Sequence, residues 1–131
     1  MEAQSKPSLY ERLGGAYEIA ILVDDFIDRI MVDPRLDANP RVKAANQHIS
    51  KAGFKYLVTE MTCWATGGPQ TYSGRSMGES HRHLFITEDE WQSFMDDFQQ
   101  ALDTCKVSTP ERQELIAILE RSKAEIVVSP G

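Results

Sequence analysis

The chain has 131 residues, 41% of them hydrophobic and 26% charged, with a formal net charge of -6. These are ordinary globular proportions that exclude a disordered chain, and the length predicts a single domain over residues 1–131 with a sizeable core. The acidic balance, offset by no basic run, excludes nucleic acid and an anionic membrane as partners, since both reward clustered Lys and Arg.

Met1 to Ser8 is short and polar with no apolar core, unlike a signal peptide. No apolar run approaches the roughly 18 residues of a membrane span, so the expectation is a soluble, cytoplasmic protein. A short opening turn, Leu9 to Leu13, is broken by Gly14-Gly15. Beyond it Ile19, Leu22, Val23, Phe26, Ile27, Ile30 and Met31 recur at three- and four-residue spacing, which predicts an amphipathic helix. Asp33-Pro34 ends that helix, because the residue before a proline is pushed out of the helical region. Residues 33–49, with Pro34, Asn39, Pro40 and Asn46, read as a long, partly helical connection.

A second clear helix runs from about Ser50 to Thr66, with Phe54, Leu57, Val58, Met61 and Trp64 on one face. Tyr56 and Trp64 are read as packing residues. Gly67-Gly68-Pro69 breaks this helix, and a short helical segment follows whose inner face carries Met77, His81 and Leu84. Thr87-Glu88-Asp89-Glu90 spells a capping box: the Thr87 hydroxyl accepts from the Glu90 N–H while the Glu90 carboxylate reaches back. Trp91, Phe94, Met95, Phe98 and Leu102 form the buried stripe of the helix it opens. The last helix starts near Ser108-Thr109-Pro110-Glu111, with proline in the first turn where its missing N–H costs nothing, and continues through Leu115, Ile118 and Leu119. No segment reads as a strand, and Ile126-Val127-Val128 is an apolar tail that packs against the body. The fold class is all-α.

Cys63 and Cys105 stand at no metal-ligand spacing and read as small reduced side chains, with a disulfide as the alternative. His81 lies between apolar residues one helical turn apart, behind a rigid Gly/Pro turn. That is the setting an iron porphyrin needs beneath it; taken without its flanks, it reads as a surface histidine. His83, two residues on, cannot share a helical face with His81, which argues against a zinc pair. It reads as exposed or as touching the edge of a porphyrin. His48, in the long connection, is a surface residue, a gate or a swing-in iron ligand.

Together these residues resemble the truncated haemoglobins, short globins that fold helices two-over-two around a haem. Leu9-Tyr10-Glu11-Arg12-Leu13-Gly14-Gly15 is similar to that family's start, and Val23-Asp24-Asp25-Phe26-Ile27-Asp28-Arg29-Ile30 with Asp33-Pro34-Arg35-Leu36 to its second helix and corner. Gly67-Gly68-Pro69 with Tyr72, Gly74, Met77 and His81 is similar to its loop and proximal segment, the most specific of the three motifs. The resemblance implies a two-over-two helical sandwich around haem b, with His81 as the proximal iron ligand. Neutral imidazole is a good ligand for iron, so the chemistry agrees. It further implies a reversibly bound diatomic gas (O2, CO or NO), a reductase where redox chemistry is involved, and haem contacts from Phe54, Leu57, Val58, Tyr72, Arg75, Met77, Phe94 and Phe98. Tyr72 and Arg75 are candidates for the haem propionates, with Lys51 and Lys55 on the opposite wall.

The distal side departs from that pattern. The family usually has a Tyr directly after the Phe of its second helix, where this chain has Ile27. It places polar residues in the middle of the next helix, where counting back from Gly67 gives Leu57 and Val58, with Phe54 a turn earlier. Its aromatic pair after Leu36 is replaced by Asp37-Ala38-Asn39-Pro40, and the chain between Ile27 and Gly67 runs several residues longer. A distal pocket of Phe26, Ile27, Phe54, Leu57, Val58 and Met61 offers no hydrogen-bond donor. A charge-assisted hydrogen bond is worth about 1.5–3 kcal/mol, so its absence predicts a weakly protected site that favours CO and NO. Efficient peroxidase chemistry needs a polar distal acid/base, and none is visible. The other readings are a haem-dependent redox enzyme acting on nitrogen oxides, peroxide or a small organic molecule, and a haem-free helical sensor. The retained His81 behind its loop disfavours the sensor.

Overall fold

The structure, a computed structural model, describes residues 7–72, 74 and 84–127. Among these residues there are seven helices and no strand: α1 (Leu9–Arg12), α2 (Gly15–Met31), α3 (Pro34–Asp37), α4 (Pro40–His48), α5 (Lys51–Ala65), α6 (Glu88–Thr104) and α7 (Thr109–Ile126). Most boundaries follow from a capping side chain. Ser8 and Glu11 form a capping box on α1, and Thr87 with Glu90 forms the expected one on α6. Ser50 accepts from the Gly53 N–H at 3.0 Å and starts α5.

The segment read as a loose connection is in fact two helices. Asp33 accepts from the Arg35 N–H at 2.9 Å, and Asn39 accepts from the Arg41 and Val42 N–H groups at 2.9 and 3.4 Å. Pro34 and Pro40 sit in the first turns of α3 and α4, where no N–H is needed. Each proline therefore starts a helix as well as ending the preceding one.

α2 is the central helix and packs most extensively against α5 on one side and α6 on the other. Ile19, Leu22, Val23, Phe26, Ile27 and Ile30 are buried, as their spacing predicts. The Phe26 ring meets Phe94 and Phe98 edge-on, each at 5.1 Å between centroids. Tyr56 and Trp64 depart from the expectation of packing: they are 64% and 54% exposed. Cys63 takes the buried position beside Trp64, whose ring stacks instead on Tyr72 at 6.2 Å. The Tyr56 hydroxyl donates to Glu60 at the surface.

The short α1 is fastened to both ends of the fold. The Tyr10 N–H donates to the Thr66 carbonyl at 2.9 Å, and its hydroxyl accepts from the Ala16 N–H and the Gln70 amide. Gly67 has φ 94, which favours glycine, and a Cβ on Gly68 would lie 2.6 Å from the Tyr10 ring. Arg12 pairs with Glu111 and Glu114 of α7. At the other end Ile126 is buried and Val127 forms an isolated parallel bridge with Ile86, so the described part of the tail packs on the body.

Candidate functional site

A cleft of about 110 Å³ opens between the α2–α5 side of the molecule and the segment leading into α6. Ile30 (α2), Leu36 (α3), Val42 and Asn46 (α4) and Phe54 (α5) line it from one side. Leu84 and Ile86, then Glu90, Trp91 and Phe94 of α6, and Ile126 of α7 line the other. Nine of these eleven side chains are apolar; Asn46 and Glu90 are the polar ones. The four-residue spacing of Val42 and Asn46 puts both on one face of α4, and the Trp91 and Phe94 rings lie 5.3 Å apart on α6.

Asn39 holds the two sides together. Its side-chain oxygen caps α4, while Nδ2 donates to the Leu84 carbonyl at 3.0 Å and to Glu90 Oε1 at 3.2 Å. The same Glu90 oxygen accepts from the Thr87 N–H at 2.9 Å. One buried amide thus serves α4, the start of α6 and the backbone three residues beyond position 81. Asn46 is half-buried, and its amide makes no hydrogen bond among the described residues.

Of the side chains expected at the site, Phe54 and Phe94 line the cleft. Phe26 and Phe98 are buried behind Phe94, and Ile27 is buried in the core at 1% exposure. Leu57, Val58 and Met61 are half-buried on α5 and are not among the side chains that line this cleft. Tyr72 is half-buried, and burial followed by the charge of Glu60 pushes its phenol up. His48 is exposed. Arg75, Met77, His81 and His83 lie outside the described residues.

Lys51 and Lys55 are engaged elsewhere. Lys51 Nζ is 2.8 Å from Asp28, and Lys55 Nζ is 2.6 Å from Asp24 and 3.0 Å from Asp28. These pairs join α5 to α2. The lining residues Val42, Asn46 and Glu90 escaped the sequence reading. The Asn39-Pro40 pair, a cap followed by a first-turn proline, is the signal that would have revealed α4 and its face.

A partly buried charge cluster lies beside Leu36 of the cleft wall. Arg35 Nη2 is 2.9 Å from Asp33, Nη1 is 3.0 Å from Asp96, and Nη2 is 3.7 Å from Asp97. Asp33 and Asp97 are both buried, and Asp97 Oδ2 has no hydrogen-bond partner among the described residues. Burial, then the neighbouring Asp33, push the Asp97 carboxyl up to about 7. Burial works against ionised Asp33 too, but hydrogen bonds from Arg35 and Asp97 outweigh it and hold Asp33 at about 2. Two carboxyls in one dry site cannot both ionise freely, so below about pH 7 they keep one proton between them. Cys63 and Cys105 are free thiols, both pushed up by burial. Among the described residues no cluster of three or more His, Cys, Asp or Glu side chains could hold a metal ion, and no helix is long and apolar enough to cross a membrane.

Residues 8–128 match the family described as bacterial-like globin. The group 1 truncated hemoglobin GlbN of Synechocystis is 33% identical over 78 residues, an alignment spanning 59% of this chain and 57% of that protein. The crystal structure of a 2/2 hemoglobin from Synechococcus, in the cyanomet state and with covalently attached heme, superposes with a TM-score of 0.75 at 25% identity, covering 87% of this chain and 91% of that one. The Fe(III) form of truncated hemoglobin from Tetrahymena pyriformis gives a TM-score of 0.81 at 20% identity, over 94% of this chain and all of that one, a likeness of fold.

Proposed function

The chain belongs to the bacterial-like globins and is a truncated globin of the two-over-two type, and on that premise we propose that residues 1–131 form one domain that binds haem b through His81 and reversibly takes a diatomic gas. Membership of the family implies the haem and the gas; the haem type, the ligand residue and the choice of gas are the proposal. The cleft is the observation that carries it. Its apolar walls, with the rings of Phe54, Trp91 and Phe94, suit the faces of a flat macrocycle, and they come from the helices that would enclose one. Bound haem supplies an iron centre able to coordinate a small uncharged ligand.

The protein's own part is to position and to exclude water. Ile30, Leu36, Val42 and Phe94 provide a dry wall, and Phe54 stands where α5 meets the cleft. Asn39 fixes the Leu84 carbonyl, three positions along the sequence from His81. Ile27, Leu57 and Val58 stand where the family usually has polar residues, and although none of them lines the cleft, that departure in sequence supports a distal side that gives O2 little protection. Asn46 favours a second reading of that side: an unengaged amide on the cleft wall is a donor that a polar ligand could use. A haem-dependent redox enzyme working with a reductase is the alternative class, and a cytoplasmic setting suits either.

Absorption spectra and stopped-flow O2 release test the proposal. The reconstituted chain should show a Soret band that His81→Ala loses or retains only weakly; tight, unchanged haem binding in that variant would remove His81 as ligand. Fast O2 release, unaltered by Asn46→Ala, supports the apolar distal side. Slow release that Asn46→Ala accelerates by about tenfold or more would transfer the role to Asn46.

A further inference from the structure

One residue at the rim of the cleft is placed at a cost. Phe85 lies between Leu84 and Ile86, both buried in the cleft wall, yet it is itself 51% exposed. Its backbone is left-handed, with φ 52, a conformation that bulky residues seldom adopt and that is strained. The guanidinium carbon of Arg41 lies 4.6 Å from the centre of the Phe85 ring, within cation–π range. Arg41 directly precedes Val42 of the opposite wall, so the stacked pair joins the two segments that supply facing walls of the cleft. The hydrogen bond from Asn39 to the Leu84 carbonyl ties the same two segments.

Lys51, Lys55, Arg29 and Arg35 all have carboxylate partners. Among the cations of α4, Arg41 and Lys43 both lack a carboxylate partner among the described residues, and Arg41 is the one stacked on a ring. Contact with a ring occupies one face of a guanidinium and leaves its N–H donors, which lie in the plane, for a carboxylate. In a chain with net charge -6, an unpaired cation beside the cleft would offset the repulsion of the two carboxylates at the edge of a haem.

We propose that Arg41, held over Phe85, is the carboxylate clamp of this cleft and binds a propionate of the haem. The proposal rests on the haem reading above. Stacking pre-orders a long side chain that would otherwise lose rotamer freedom on binding, and the guanidinium fork matches a carboxylate with two parallel hydrogen bonds. The exposed, strained Phe85 then has a purpose: it is the platform that holds the cation in place.

The test is the rate of haem loss to a scavenging apoglobin. Wild type, Arg41→Ala, Arg41→Lys and Phe85→Leu would each be loaded with haem and, separately, with its dimethyl ester. Arg41→Ala should lose haem on the order of tenfold faster, Arg41→Lys and Phe85→Leu less so, while all four should lose the ester at one common rate. Equal loss of haem from wild type and Arg41→Ala, both with normal Soret bands, would overturn the clamp alone. So would an equal acceleration with the ester, which would mark Arg41 as structural. A wild type that takes up neither compound would bring down the haem reading and the clamp with it.

Discussion

The two interfaces of α2 are built differently. Against α5, an apolar stripe is closed at its edge by Lys51 and Lys55 with Asp24 and Asp28, charges that water reaches. Against α3 and α6, three phenyl rings interlock and two carboxyls are buried: Asp33 and Asp97, beside the half-exposed Arg35. Arg29 adds links across this second interface, to Gln100 at 3.0 Å and Thr104 at 2.8 Å. The first interface can lose a charge to solvent at little cost, and the second cannot. The cleft grows from the second, since Leu36, Trp91 and Phe94 belong to it.

Removing a ring should bring out the contrast most strongly. Phe98→Ala takes away a buried side chain that the Phe26 ring packs against, and should cost about 3–5 kcal/mol of stability in denaturant unfolding. A loss under about 1 kcal/mol would show that the interface closes over the gap and is not tightly interlocked. Next comes Asp97→Asn. In the folded state Asp97 keeps its proton up to about 7, far above the ordinary carboxyl value, so its contribution to stability is complete below about pH 4 and is lost as pH rises through 7. Asn mimics the protonated form. The variant should therefore match wild type near pH 4 and exceed it by on the order of 2 kcal/mol at pH 8. Parallel stability curves for the two proteins from pH 4 to 8 would mean that Asp97 does not titrate there. The smallest effect belongs to the other interface: Lys55→Ala should cost under about 1 kcal/mol, and less still at high salt. A loss comparable to that of Phe98→Ala would erase the distinction.

How far the sequence reveals this molecule depends on whether a feature is local. The stripe of α2, the Thr87–Glu90 box and the proline in the first turn of α7 are written in neighbouring residues, and each stands where its spacing predicts. Phe54 and Phe94 were legible for the same reason: apolar periodicity gives them an inner face. α4 was hidden because it is short and mostly polar, and because Pro40 reads as a breaker until Asn39 is seen to cap it. Asn46 and Glu90 carry no periodic signal, since a polar residue facing a cleft looks like one facing water. The pairing of Asp33 with Asp97, and of Lys55 with Asp24, joins positions far apart in the chain that only the tertiary fold brings together. Tyr56 and Trp64 show the converse limit, because large aromatic side chains on a helix need not enter the core.

The Tyr10–Gly68 contact bears on how the chain assembles. α1 spans one turn, too short to persist alone; beyond its neighbour Ala16, its partners Thr66, Gln70, Glu111 and Glu114 are distant in sequence. Its contacts with Thr66, Gln70, Glu111 and Glu114 form only when the large loops between them close, so α1 is fully fastened only in the complete fold. Deleting the chain through Tyr10 would then leave the contacts of α2 with α5 and α6 in place, yet the turn at Gly67-Gly68 would lose the ring it is shaped against.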